Sequence, residues 1–334
     1  MMRKCSFPFE NIEIDLNGDV FTCCSNWINN YALGNIYENS LEEIWNGEKA
    51  RILREKILNG DYSICSKDYC QYRNGDFPMG HLKENEMTPI MAKMPTIVKL
   101  SYDKECNIAC RICRDNVMKN SAEELQKLDE HFEKRILPAM KDAKIVTINA
   151  HGDPFGSRHC RKVIKKLMET FPDIKFDFHT NGTLCDRNLL RRLHVENKIE
   201  VMRISVSAAT AETYGKIVIN GEKLFEKLKS NLKMLGELRK SQNFEFYVHF
   251  IVNSKNYTEM LDFIDLVEEC NATPCFWEFT FDCVWYAKNL DKSWEITDEN
   301  HPEFEKFRKI LQDKKFDKYE IFMSPLLLKI RKGE

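Results

Sequence analysis

Strand and helix signals alternate about six times from Thr96 onward, and this alternation constrains the fold more than any other feature of the sequence. Apolar and β-branched runs are separated by amphipathic segments, of which one begins at Ser121, with Glu124 three residues later, and another spans residues 223–238. Such alternation is typical of a parallel sheet covered by helices, either open or curved into a barrel. The predicted strands are residues 97–102, 145–150, 174–179, 201–207, 244–253 and 276–282.

The predicted strands have one apolar and one polar face. In residues 244–252 every second residue is Phe or Val, whereas Glu245, Tyr247 and His249 occupy the alternate positions. Helices must cover the apolar faces, so the polar faces are expected to point into the interior of the barrel. A closed eight-stranded barrel fills that interior with branched apolar side chains. The sequence therefore predicts an interior that holds a polar ligand.

Composition excludes several classes of protein. The 334 residues include 50 Lys and Arg against 52 Asp and Glu, so no global field favours nucleic acid or an anionic membrane as partner. No apolar run reaches the roughly 18 residues of a membrane span, and the basic pair near the start precedes no apolar stretch. We therefore expect a cytoplasmic protein. Its 13 cysteines then predict metal or catalytic sites rather than disulfides.

Three cysteines follow the first predicted strand as a C-x3-C-x2-C loop: Cys106, Cys110 and Cys113. Three thiolates this close can bind three irons of a [4Fe–4S] cluster. The position suits chemistry, because strand-to-helix loops at the carboxyl ends of barrel strands carry active sites. Zinc is the lesser alternative, since it usually takes four protein ligands in paired spacing, and three unrelated buried cysteines are the remaining one.

The motif resembles that of the radical SAM superfamily, whose partial (β/α)6 TIM-type barrel carries C-x3-C-x2-C after its first strand. The resemblance implies that S-adenosylmethionine chelates the open iron of the cluster. Reductive cleavage then gives a 5′-deoxyadenosyl radical, which takes a hydrogen atom from substrate. A reductant such as flavodoxin or ferredoxin is implied as a partner.

Later strand ends are similar to further motifs of this superfamily, between residue 96 and about residue 284. The Gly-Gly-Glu element that holds the methionyl amine resembles His151-Gly152-Asp153 here, and Thr180-Asn181-Gly182 is similar to a common Thr-Asn-Gly. By resemblance, the cofactor-binding residues are His151, Gly152, Asp153, Asn181, Ser207, Lys216 and, more weakly, Asn253.

The segment before residue 76 carries a second cysteine set. Two short runs around Asn17-Gly18 predict a β-hairpin, and Ser40 with Glu43 predicts a helix extending through about Leu58. The pattern resembles the SPASM or Twitch module, which holds auxiliary iron–sulfur clusters and usually follows the barrel. It implies a second [4Fe–4S] cluster on Cys5, Cys23, Cys65 and Cys70.

Two alternatives stay open at this module. Four thiolates also suit zinc. Cys24 could replace Cys23, because adjacent strand residues face opposite sides.

The remaining cysteines include two at predicted loop or strand ends, Cys185 and Cys283, where a thiol could return a hydrogen atom to a substrate radical. The predicted organisation is an auxiliary cluster module (1–75), a linker (76–95), the partial barrel (96–286) and a C-terminal capping extension (287–334). By resemblance the substrate is a peptide or protein, with a carbohydrate or other small molecule as the alternative. A non-catalytic metal-binding scaffold is the alternative from another class.

Overall fold

The fold is taken from a computed structural model, which describes residues 4–67, 70, 82–148, 151–281, 286–317 and 320–334. The chain forms two compact units, the first of residues 1–104 and 120–177 and the second of residues 105–119 and 178–334. No helix among the described residues has the length and apolar character to cross a membrane.

The first unit combines a small antiparallel ribbon with parallel strands. Its strands are β1 (Asn11–Ile14), β2 (Asp19–Phe21), β3 (Gly34–Asn35), β4 (Ile97–Leu100) and β5 (Ile145–Ile148). They lie in the order β5-β4-β1-β2-β3, with β1 parallel to β4 and antiparallel to β2. The predicted hairpin is thus confirmed. It continues the parallel pairing through β1, whose residues Ile12 and Ile14 are fully buried.

The helices of the first unit are α1 (Phe7–Glu10), α2 (Leu41–Trp45), α3 (Glu48–Leu58), α4 (Ala122–His131) and α5 (Arg158–Thr170). Three of these five helices, α2, α4 and α5, begin at a serine whose side chain caps them. The capping boxes predicted at Ser40 and Ser121 are both formed. The single helix expected up to Leu58 is instead two, because the chain breaks at Asn46-Gly47, and glycine disfavours helix interiors.

The second unit is an α/β array of parallel strands. Strand β6 (Lys175–Thr180) is divided between the units and β7 (Ile199–Ser205), β8 (Glu245–Val252), β9 (Thr273–Glu278) and β10 (Phe322–Met323) follow. Strands β7 to β10 pair in chain order, all parallel. The helices are α6 (Arg187–Arg192), α7 (Ala211–Ile217), α8 (Glu222–Ser241), α9 (Met260–Glu269), α10 (Phe304–Leu311) and α11 (Pro325–Lys332).

The two faces of β8 behave as its alternating sequence predicts. Phe246, Val248, Phe250 and Val252 are at most 1% exposed, and the Phe250 ring packs edge-on against Phe263 of α9 with centroids 4.7 Å apart. His249 lies on the other face, opposite Ser205 of β7 and Cys275 of β9. The predicted α/β fold class with a parallel sheet is confirmed, and the polar strand face is present in the second unit.

Candidate metal centres and cofactor site

The three-cysteine loop is held in the second unit by backbone hydrogen bonds to the end of α7. The Arg111 N–H donates to the Ile217 carbonyl at 2.8 Å and the Ile219 N–H donates to the Ala109 carbonyl at 2.9 Å. Cys110 forms an isolated bridge with Val218 between these bonds. These backbone hydrogen bonds hold the loop against the end of α7.

The loop thiols differ in accessibility, and two of them accept hydrogen bonds. Cys106 is buried, whereas Cys110 and Cys113 are half-buried. Asn181 Nδ2 lies 3.7 Å from Cys106 Sγ, and Arg114 Nε donates to Cys113 Sγ at 3.4 Å. N–H donors aimed at sulfur stabilise the thiolate form, which is the form that binds metals. This donor set therefore fits an anionic iron–sulfur cluster.

Arg114 interacts electrostatically with all three thiols of the loop. Burial alone would lower the pKa of Arg114, but the negative charge of the three thiolates raises it above its usual value. Among the described residues, no three His, Cys, Asp or Glu side chains stand in the close geometry of a formed metal site. The fit to a cluster thus rests on the donor set and its neighbours.

Ser207 and Asn253, predicted to bind cofactor, are brought together at the ends of β7 and β8. Ser207 has a left-handed backbone with φ of 55°, and its Oγ accepts from the Ile251 N–H at 3.0 Å. Asn256 links the two residues, because its Nδ2 donates to the Ser207 carbonyl at 2.9 Å and its Oδ1 accepts from the Asn253 N–H at 2.8 Å. A non-glycine residue with positive φ is costly and is often found at functional sites.

Lys216 lies on α7, immediately before the residue that binds the cysteine loop. Its exposed Nζ is 2.7 Å from Glu212 Oε1, one helical turn earlier. Asn181 is the one predicted cofactor residue in direct contact with a loop cysteine among the described contacts, and its Nδ2 also donates to Asn107 Oδ1 at 3.0 Å.

The remaining predicted cofactor residues, His151, Gly152 and Asp153, follow β5 in the first unit. Asp153 is 1% exposed, and its Oδ1 accepts from the N–H groups of Phe155 at 3.0 Å and Gly156 at 2.8 Å. This carboxylate therefore shapes the turn that leads into α5. His151 and Gly152 are half-buried.

The four N-terminal thiols form a separate group in the first unit. Cys23, Cys65 and Cys70 are buried and Cys5 is half-buried. Burial raises the pKa of Cys5 to about 12, with Cys70 adding to the effect, and raises the pKa of Cys23, to which Cys5 and Cys70 also contribute. Cys65 interacts with all three of the others, and a hydrogen bond with Cys70 is the largest cause of its raised pKa. Every pair within the group thus interacts electrostatically.

Cys24, the neighbour of Cys23 in sequence, has a different set of charged neighbours. Burial raises its pKa, and its charged neighbours are Glu13 and Lys99, which form an ion pair at 2.9 Å. Cys24 also interacts with Cys23 and contributes to the raised pKa of that thiol. The interactions of Cys23 with Cys5, Cys65 and Cys70 favour Cys23 over Cys24 as the ligand.

The two thiols predicted to donate hydrogen atoms are placed differently. Cys185 has 0% of its surface exposed, and its N–H donates to the Gly182 carbonyl at 3.2 Å. This environment is typical of a small core residue. Cys283 lies outside the described residues.

Sequence reasoning missed Arg114, which is 3% exposed and stacks over the ring of Tyr286 with its guanidinium carbon 5.3 Å from the centroid. The available signal was its position directly after Cys113. Such adjacency does not show on its own whether a side chain turns toward the sulfur or toward water.

Comparison with known proteins identifies the N-terminal region. A model of SPASM, an iron–sulfur cluster-binding domain, matches residues 5–67. This range contains three of the four grouped thiols, and Cys70 lies three residues beyond its end.

Two curated relatives each match a stretch of 130 residues of the chain. The FeMo cofactor biosynthesis protein NifB of Methanocaldococcus infernus is 28% identical over 130 residues, which cover 36% of this chain and 42% of the relative. NifB of Methanocaldococcus jannaschii is 25% identical over 130 residues, covering 36% of this chain and 43% of the relative. The chain therefore spans less than half the length of these relatives.

Solved structures extend the likeness to the whole chain. Streptococcus suis SuiB bound to the precursor peptide SuiA has a TM-score of 0.50 at 11% identity, covering 99% of this chain and 75% of SuiB. SuiB bound to S-adenosylmethionine aligns at 14% identity over 84% of this chain and 62% of SuiB, with a TM-score of 0.49. At this identity the first of these likenesses shows a shared fold. The SPASM match at residues 5–67, the similarity to NifB and the fold shared with SuiB together support the resemblance to radical SAM enzymes that carry a SPASM module.

Proposed function

We propose that the protein is an enzyme that cleaves S-adenosylmethionine at a [4Fe–4S] cluster held by Cys106, Cys110 and Cys113. The observation that carries the proposal is the three-thiol loop, fixed by backbone bonds and bordered by N–H donors to two of its sulfurs. A cluster with three protein thiolates keeps one iron open for a further ligand. When bound, the cluster would supply the electron that breaks the cofactor into methionine and a 5′-deoxyadenosyl radical.

Around this loop the chain would bind the cofactor through strand-end residues. Ser207 and Asn253 are fixed by Asn256 at neighbouring strand ends, and Asn181 lies beside Cys106. Lys216 and the segment His151-Gly152-Asp153 are the other proposed contacts, on the strength of the motif resemblance. Cys185 and Cys283 stay proposed hydrogen-atom donors. Flavodoxin or ferredoxin would supply the electron.

The N-terminal thiols Cys5, Cys23, Cys65 and Cys70 would hold a second [4Fe–4S] cluster. Their mutual interactions and the SPASM match support this assignment. Iron and zinc analysis of anaerobically prepared protein tests it. Iron for two clusters supports the proposal, and one zinc with iron for a single cluster would contradict it.

The substrate we propose is a peptide or protein. SuiB, which shares the fold, was crystallised with a precursor peptide, and that observation favours this class. A short peptide gene beside the gene for this protein would supply the molecule to test. A change in the mass of that peptide that requires both S-adenosylmethionine and Cys110 would support the proposal, and an unchanged mass with active cofactor cleavage would contradict it.

The activity itself is tested by measuring 5′-deoxyadenosine after adding dithionite and S-adenosylmethionine to the reconstituted protein. We expect Cys110→Ala to reduce product by at least about a hundredfold, as expected for removal of a ligand essential to a catalytic centre. Cys270→Ala is the matched control, because Cys270 is a buried cysteine of the same unit at the end of α9. Failure of the unchanged protein to form 5′-deoxyadenosine with this reductant, and no further loss in Cys110→Ala, would exclude the proposed enzyme and favour a metal-binding scaffold.

A further inference from the structure

One arginine is built into the cysteine loop as a buried positive charge. Arg114 directly follows Cys113, is 3% exposed, and donates from Nε to Cys113 Sγ at 3.4 Å. Burying a guanidinium costs free energy unless charge or hydrogen bonding offsets the lost water. The negative sulfur beside it supplies such an offset. An arginine without a role at the sulfur would be expected to extend into water, as Arg111 of the same loop does.

Tyr286 fixes this arginine from the other side. The Tyr286 N–H donates to the Cys113 carbonyl at 3.0 Å, and residues 114 and 286 form an isolated parallel bridge. The Tyr286 ring lies under the guanidinium, whose carbon is 5.3 Å from the ring centroid. Cation–π contact of this kind orients a planar guanidinium. Tyr286 therefore contacts both the backbone of Cys113 and the Arg114 side chain that donates to the Cys113 sulfur.

A second N–H donor to a loop sulfur is uncharged. Asn181 Nδ2 lies 3.7 Å from Cys106 Sγ, while the same nitrogen donates to Asn107 Oδ1 at 3.0 Å. The two sulfurs thus have different neighbours, one a shared amide and the other a cation. Of these two donors, Asn181 is neutral, and Arg114 adds a positive charge beside the loop.

We infer that Arg114 sets the reduction potential of the cluster held by this loop, acting as a positioning residue and not as a ligand. The inference rests on the proposed cluster at Cys106, Cys110 and Cys113. On reduction the cluster gains one electron from the reductant, so its negative charge increases by one while its bonds to the chain are kept. A buried cation and an N–H···S bond both stabilise the more negative form, and hydrogen bonds, net charge and solvent exposure set such potentials.

The charge is effective because it is buried. Water and salt screen an exposed cation at the same distance, whereas a buried one acts through a lower effective dielectric. Arg111 provides the comparison, since it lies between Cys110 and Cys113 in sequence but has an exposed side chain. Removing either arginine deletes one positive charge from the loop. The charge of Arg114 is buried, whereas water screens the charge of Arg111.

The experiment is a redox titration of the reconstituted full chain, followed by electron paramagnetic resonance, with Arg114→Met, Arg114→Lys and Arg111→Met. The signal of this cluster is the one absent from Cys110→Ala, which separates it from any auxiliary cluster. For Arg114→Met we expect the equilibrium constant for reduction to fall about tenfold, equal to about 59 mV for one electron. Arg114→Lys keeps the charge but lacks the planar donor, so its equilibrium constant for reduction should fall by only about threefold. Arg111→Met should change it by less than about twofold.

Each outcome decides the inference. An unchanged potential in Arg114→Met with full iron content would overturn it, as would an equal shift in Arg111→Met. Loss of iron from both Arg114→Met and Arg114→Lys would also overturn it, because the side chain would then maintain the loop and not its potential. Iron retained in Arg114→Lys with a smaller shift than in Arg114→Met supports it. Absence of iron from this loop in the unchanged protein would contradict the proposed function itself, whereas a shifted potential without cofactor cleavage would leave this inference intact.

Discussion

The two cysteine sites of this protein are built on different principles. At the N-terminal site four thiols come from three separate places in the sequence and interact with one another. At the loop site three thiols lie within eight residues, and backbone bonds to the end of α7 fix their positions. In the proposed function the N-terminal site would have a full set of four protein ligands, and the loop site would have three.

This difference explains what each site can do. Four thiolates complete the coordination of a metal or cluster and leave no place for substrate, which is typical of structural and electron-relay sites. Three thiolates leave a position open. The N-terminal module also depends on its metal more strongly, because no secondary structure joins Cys5, Cys23 and Cys65 into one element. Metal binding should therefore contribute to folding at the first site and to chemistry at the second.

The largest expected effect is the loss of one N-terminal thiol. Cys65→Ala removes a ligand that interacts with all three other thiols of the group. Because binding energy at such a site is folding energy, we expect the variant to lose the metal of the module and at least about 3 kcal/mol in free energy of unfolding. Metal analysis and denaturant unfolding under anaerobic conditions measure both quantities.

Cys24→Ala is the matched control for this prediction. Cys24 is a neighbour of Cys23 in sequence, and its main charged neighbours are Glu13 and Lys99. The Cys24→Ala variant should keep its metal content. Its free energy of unfolding should fall by no more than about 1 kcal/mol, as expected when a partly buried side chain that is not a ligand is truncated. Metal loss in Cys24→Ala, with retention in Cys65→Ala, would show that the ligand set is wrong.

The sequence predicted the local parts of both sites and not their three-dimensional relations. The capping residues Ser40 and Ser121 and the polarity of β8 could be predicted because each depends on neighbours in sequence. The parallel pairing of β1 with β4 joins residues more than 80 positions apart, and no local signal specifies it. The choice between Cys23 and Cys24 and the direction of Arg114 likewise depend on tertiary packing.

The stability of the second unit should depend on pH through His249. This residue lies on the polar strand face, where burial and the positive charge of Arg203 lower the pKa of His249 to about 3. Its ring also contacts His179, with centroids 5.1 Å apart. Because the folded pKa lies below the ordinary value of about 6.5, the unfolded chain takes up the proton first on acidification. The stabilising contribution is complete above pH 6.5 and is lost progressively as the pH falls toward 3.

We therefore expect His249→Asn to flatten the pH dependence of unfolding. In the unchanged protein this group should contribute a loss of about 1.4 kcal/mol per pH unit below 6.5, and the variant should lack that slope. His194→Asn is the control, since His194 is exposed and has φ of 59°, a conformation that asparagine tolerates. Urea titrations at pH 7.5 and 5.5 measure the difference. An identical slope in both variants would mean that another group controls acid unfolding.

The smallest expected effect tests whether the N-terminal module folds around its metal. Ser40 caps α2, with its Oγ accepting from the Glu43 N–H at 3.3 Å, and Ser121 caps α4 in the same way at 3.1 Å. Replacing either serine by alanine should cost about 1 kcal/mol of helix stability. Ser40 lies within the matched SPASM range and Ser121 outside it.

If metal binding and folding of the module are one equilibrium, the energy lost in Ser40→Ala must appear as weaker metal binding. About 1 kcal/mol corresponds to roughly fivefold in affinity, measurable as faster equilibration of the N-terminal metal with a competing chelator. Ser121→Ala should lose the same stability without changing that affinity, because α4 begins more than 50 residues after the last grouped thiol. Equal chelator competition in the two variants would mean that the module is folded before the metal binds, and the contrast between the two cysteine sites would then lie in ligand number alone.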